Sequence, residues 1–103
     1  METIAKEVIF GRFPNGDLFE IRIEIGAPYS WQGDEDEWAC PVKLHPLYPN
    51  LRDIHGGSSL QALCLAISLA KSLLDAFLEK GGELTYGENG TFDVNAVFGT
   101  TKH

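Results

Sequence analysis

The chain has 103 residues, 44% of them hydrophobic, and a formal net charge of −7 from 15 acidic and 8 basic residues. That length is one domain, residues 1–103, able to bury a modest core without disulfides or metal. The composition excludes a disordered chain, and the acidity excludes nucleic acid as a direct ligand, since phosphate binding needs a basic footprint.

Met1-Glu2-Thr3 leads straight into structure, with neither a basic n-region nor an apolar h-region, so no signal peptide is expected. Ile4 to Arg12 reads as the first strand. Phe13 to Asp17 is a turn, because Asn15-Gly16 between two strand patterns is a strong hairpin signal and Pro14 presets the φ of the first turn residue. Leu18 to Ile25 is the second strand, with Phe19, Ile21, Ile23 and Ile25 on one face and Glu20, Arg22 and Glu24 on the other.

Gly26 to Asp36 reads as a loop with two aromatics, Tyr29 and Trp31, beside the acidic run Asp34-Glu35-Asp36-Glu37. Glu37 to His45 is the third strand, and Pro41 within it belongs on an edge or where no ladder donor is needed. Pro46 to Gly57 is broken by Pro46 and Pro49, with Leu51 to Ile54 as a short fourth strand.

Ser58 to Lys80 is the one long periodic segment and reads as a helix. Leu60, Leu63, Cys64, Ile67, Leu74, Phe77 and Leu78 recur at helical spacing as its buried face. Ser58 and Gln61 form a capping box, Gly81-Gly82 ends the helix and Lys80 suits the last turn. The polar stripe of Gln61, Ser68, Ser72, Asp75 and Glu79 is narrow, which leaves Leu65, Leu69 and Leu73 apolar on the far side. Either the C-terminal segment or a second copy of the chain is expected to cover them. Leu84 to Tyr86 and Thr91 to Phe98 read as short final strands around a Gly87-Glu88-Asn89-Gly90 turn. No apolar run reaches ~18 residues without polar interruption, so no membrane span is expected. The order predicts an α+β fold: an antiparallel meander of three to four strands, one long helix on its face and a short C-terminal segment.

The stretch Trp38 to Leu74 carries W-x-C-P-V-x-L, a glycine, then S-x-Q-A-L-x-L-A-I opening a helix. Its residues are Trp38, Cys40, Gly57, Ser59, Gln61, Ala62, Leu63, Leu65 and Ala66. This resembles a family of small bacterial proteins of unknown function, over about the last two-thirds of the chain. That family has Asp before the serine of the helix start where this chain has Ser58, an exchange of one N-cap residue for another. The resemblance implies the fold and assigns no activity. Helix openings of this type also occur in small immunity-like proteins that neutralise toxins, an analogy of fold alone.

Several residue sets are candidates for function. Tyr29, Trp31, Asp34, Glu35, Asp36 and Glu37 form a plausible contact patch for a basic protein, the rings giving affinity and the charges rate and register. The competing reading is a solvated acidic loop with Trp31 folded back on the sheet. The carboxylates lack the spacing of a calcium loop. His45, Asp53 and His55 with Ser58 or Ser59 can be drawn as a hydrolytic set, but no G-x-S-x-G or H-E-x-x-H motif accompanies them. The start of the helix, with His55, Ser58 and Ser59, offers free N–H groups to an anion, although capping explains the same residues. Cys40 and Cys64 both fall in apolar patterns and read as buried, unreactive thiols.

The expectation is therefore a cytoplasmic, non-catalytic protein-binding module, immunity-like by analogy, with no cofactor or metal. The alternative is a small-ligand-binding or enzymatic domain with a pocket between sheet and helix near His45, His55 and Ser58. A homodimer through Leu65, Leu69 and Leu73 is a third reading.

Overall fold

The structure, a computed structural model, describes residues 1–99. Its strands are β1 (Thr3–Arg12), β2 (Leu18–Gly26), β3 (Tyr29–Ser30), β4 (Trp38–Cys40), β5 (Val42–His45), β6 (Ile54–Gly56) and β7 (Glu83–Thr85); its helices are α1 (Ser59–Glu79) and α2 (Val94–Val97). The architecture is α+β, with antiparallel strands, one long helix packed on them and a short C-terminal segment. The strands divide into two sheets, one in the order β5-β2-β1-β7 and one in the order β3-β4-β6.

The β1–β2 hairpin turns where the sequence places it. Phe13 N–H donates to the Asp17 carbonyl at 2.9 Å and Gly16 N–H to the Phe13 carbonyl at 2.8 Å. Gly16 has φ +95°, so it supplies the left-handed residue of a three-residue loop with a glycine bulge.

The expected third strand is two strands. Pro41 lacks an N–H and separates β4 from β5, and each half joins a different sheet. Its carbonyl accepts from Gly26 N–H at 2.9 Å, which ties the turning point to the end of β2. The fourth strand lies at Ile54–Gly56 rather than Leu51–Ile54, with Cys40 opposite Ile54 and Trp38 opposite Gly56. The segment read as a last strand is half helical: Thr91 makes a single bridge to Thr85, and the Asp93 carboxylate accepts from Ala96 N–H at 3.2 Å to start α2. The short polar side chain that weakens a strand there is the one that caps a helix.

Helix α1 begins and ends as its sequence dictates. The Ser58 hydroxyl accepts from Gln61 N–H at 3.1 Å. The reciprocal bond reaches one residue further back than a capping box, from Gly57 N–H to Gln61 Oε1 at 2.5 Å. At the other end Gly82 N–H donates to the Phe77 carbonyl and Gly81 N–H to the Leu78 carbonyl, both at 3.0 Å, with Gly81 at φ +91°. This is a Schellman termination.

The buried face is rotated from the one the leucines suggest. Ala62, Ala66, Ala70, Leu74 and Phe77 are buried, whereas Leu60 is 68% exposed and Leu65, Cys64 and Leu78 also face solvent. Small residues won because the helix comes close. Ala62, Ala66 and Ala70 pack with Ile25, Cys40 and Val42, while Leu74 and Phe77 pack with Ile9, Ile21, Ile23 and Leu44. Phe92 and Val94 join the second of these clusters, and Phe98 packs against both. Leu69 and Leu73 are half-buried against the core, alongside Leu51 of the β5–β6 connection. By length and composition α1 also reaches the range of a membrane span, with a mean hydropathy of 1.5. The average is this high without an uninterrupted apolar run because isolated polar residues such as Gln61, Ser68 and Ser72 barely lower it.

The closest approach lies at Gly56, where a Cβ would stand 2.6 Å from the Ala62 backbone nitrogen. Gly57 has no such neighbour, its nearest contact being Gln61 Oε1 at 3.4 Å. Gly56→Ala is therefore expected to cost about 1–3 kcal/mol in urea unfolding, the range for overpacking, with Gly57→Ala costing clearly less. Equal losses would mean that the helix does not rest on Gly56.

Candidate functional site

The outer face of the small sheet is built by pairing. Tyr29 on β3 stands opposite Ala39 on β4, and Ala39 opposite His55 on β6. Directly paired residues share a face, so Tyr29, Ala39 and His55 form a row. Trp38 and Gly56 lie on the other face, toward α1. Ala39 is fully buried despite its outward position. The Trp31 ring centroid lies 4.8 Å from that of His55 and 6.3 Å from that of Tyr29.

A short turn brings Trp31 there. Residues Trp31–Gly33 form one turn of 3-10 helix, with Gln32 at φ +53° and Gly33 at φ +76°. Trp31 N–H donates to the Glu37 carbonyl at 2.8 Å and Asp34 N–H to the Trp31 carbonyl at 2.9 Å. The Asp34 carboxylate accepts from Asp36 N–H at 2.8 Å, and Trp38 Nε1–H donates to the Glu35 carbonyl at 3.0 Å. The stretch expected to be an irregular loop is therefore a braced strand and turn.

Two carboxylates flank the rings. Glu37 Oε1 lies 3.6 Å from His55 Nδ1, an ion pair when the imidazole is protonated. Tyr29 OH donates to Asp53 Oδ2 at 2.5 Å. Of the six residues expected in a contact patch, Tyr29, Trp31 and Glu37 converge. Asp34, Glu35 and Asp36 remain exposed along the rim. Beside Tyr29 and Asp53 runs a cleft of about 560 Å³, also lined by Glu2, Lys43, Pro41 and Leu51.

The other candidates are dispersed. His45 sits on β5 opposite Arg22, in the other sheet from His55. Ser58 is occupied as a cap, and Ser59 is the first residue of α1. Asp53 bonds Tyr29 rather than a histidine. Cys40 is buried, and burial, helped by the Asp53 charge, raises its thiol pKa. Cys64 is exposed, contrary to its apolar pattern, because it falls beyond the edge of the alanine face. Among the described residues no three His, Cys, Asp or Glu side chains cluster as a metal site would require.

What the face offers is a set of π-faces with carboxylates at two sides. Such faces attract cations, and a Lys or Arg side chain of a partner meets both the rings and the charge. Asp53 and His55 belong to this arrangement through β6. The signal for them is the alternation Asp53, His55 around Ile54, legible only once the strand is placed at Ile54–Gly56. Comparison of the chain with family models, curated proteins and solved structures returned no match.

The Tyr29 hydroxyl has its pKa raised, first by the hydrogen bond to Asp53, then by burial and the Asp53 charge. A raised value in the folded state means that this bond stabilises the fold fully below the unfolded-state pKa of about 10 and is lost as pH rises through the folded value. Burial and the Glu7 charge raise Tyr86 as well, so spectrophotometric titration should show two of the three tyrosines ionising late, and Asp53→Asn should move one of them earlier. An unchanged curve in the variant would show that Asp53 does not hold the phenol.

Proposed function

We propose that the chain is a non-catalytic protein-binding module whose contact surface is the outer face of β3-β4-β6. Tyr29, Trp31 and His55 form the centre and Asp53, Glu37 and the Asp34–Asp36 run form the rim. The partner is basic. The observation that supports this reading is the cluster of the Tyr29, Trp31 and His55 rings, flanked by carboxylates and held by two strands and a braced turn rather than by a free loop. Rigid aromatics at the centre with polar groups around them is the usual arrangement of an energetic hot spot. The net charge of −7 adds long-range attraction for a cationic surface. Neutralising a toxin, as the immunity-like analogy has it, is one form of this function.

The test is selection of binders from a displayed library of peptides of all compositions. Selected sequences should be enriched in Lys and Arg, and their affinity should fall with added salt. Trp31→Ala should weaken binding by about 2 kcal/mol, as central hot-spot rings do, with an unchanged circular dichroism spectrum. Binders of no charge preference, or binding indifferent to Trp31, would remove this reading.

A further inference from the structure

The aromatic face carries a base of its own. The bond from Trp31 N–H to the Glu37 carbonyl continues the pairing of β3 with β4, so Trp31 and Glu37 stand one step along from the row of Tyr29, Ala39 and His55. His55 reaches both of them from β6. Its imidazole meets the Trp31 ring with planes at 71° and centroids 4.8 Å apart, and its Nδ1 stands 3.6 Å from Glu37 Oε1. Both His55 and Glu37 are exposed, so protons exchange freely with them.

The groups around His55 come from each neighbouring element. Trp31 comes from the 3-10 turn, Glu37 from the residue before β4, and Tyr29 from β3, with Asp53 bonded to its hydroxyl. Asp34, Glu35 and Asp36 follow the rim. The start of α1 adds the neutral Ser58 and Gln61, both engaged in capping. Arg52, next to Asp53 in sequence, is exposed. Among the described residues the other ion pairs are Arg12 with Glu83, Arg22 with Glu20 and Lys71 with Asp75, all away from this face. His55 is therefore the one base paired with a carboxylate of the contact surface.

We infer that a proton gates the aromatic face: neutral His55 leaves Trp31 and Glu37 open to a cationic side chain of the partner, whereas protonated His55 takes Glu37 for itself and repels that side chain. This rests on the protein-binding reading above and sets when the surface is available. An imidazole changes its charge between about pH 5 and 8, while Lys and Arg keep theirs and exposed carboxylates ordinarily stay ionised over that range. The protonated form binds the basic partner less well, so affinity rises with pH across this window. By the same linkage, binding of the partner releases the proton. The cost of protonation is one ion pair withdrawn from the partner and one like charge set beside it, about five- to tenfold in affinity at an exposed site.

The test uses a hexa-arginine peptide, titrated into the full chain at constant ionic strength at about pH 7.5 and about pH 5.5, above and below the imidazole range, with the Trp31 indole N–H followed by NMR. The dissociation constant should be about five- to tenfold larger at the lower pH. His55→Gln, which keeps a polar side chain but takes no proton, should bind with one affinity at both. His45→Gln should keep the full pH dependence, since His45 lies in the other sheet. Glu37→Gln should weaken binding more at the higher pH than at the lower, where His55 already holds that carboxylate. A Trp31 signal that moves at neither pH removes the contact surface and the gate together. A signal that moves with equal affinity at both, a pH dependence that survives His55→Gln, or one that is lost in His45→Gln removes the gate and leaves the surface standing.

Discussion

Everything in this fold depends on how close one helix can come to two sheets at once. The N-terminal half of α1 meets the corner where the sheets part, and there only Ala62, Ala66, Ala70 and Gly56 leave room. The C-terminal half stands further off, over the four-stranded sheet, and fills the wider gap with Leu74 and Phe77. Close packing of an interior leaves no slack for exchanging these two halves. The helix therefore sets the wedge between the sheets, and the wedge turns the outer face of β3-β4-β6 away from the core as a separate platform.

Pro41 and Gly26 make the corner possible. A strand that must leave one sheet and join another needs a residue whose missing donor is not missed, and Pro41 is that residue, with its carbonyl bound to Gly26. Gly26 is buried in turn, because a Cβ there would meet Met1 and Pro41 within 3 Å. The aromatic row is thus positioned from below by the backbone path and not by contacts among its own rings.

Periodicity made most of this legible. The hairpin, the helix with both caps, and the α+β order follow from alternation, Asn-Gly and Ser-x-x-Gln, signals that act within a few residues. What escaped depends on distance in sequence. The leucines suggested a buried face centred between Leu60 and Leu78, but hydrophobicity alone ranks leucine above alanine and says nothing of how near a neighbour stands. Pro41 was readable as an obstacle to pairing but not as a boundary between sheets. Tyr29 and Trp31 could be singled out beside their carboxylates, whereas their association with Asp53 and His55 needed the partner of Ala39 to be known. Thr91 to Phe98 reads as a strand from its apolar residues, whereas Asp93 disfavours a strand and starts a helix for the same reason.

The two thiols stand in opposite situations. Cys64 lies on the open side of α1, while Cys40 is sealed at the corner, with its Sγ 3.3 Å from the Gly26 carbonyl and its ionisation disfavoured by burial. A thiol reagent should therefore read the molecule on two clocks. Cys64 reacts at the pace of the reagent, and Cys40 reacts only as often as the sheets come apart, so its rate measures the opening of the corner without any added label.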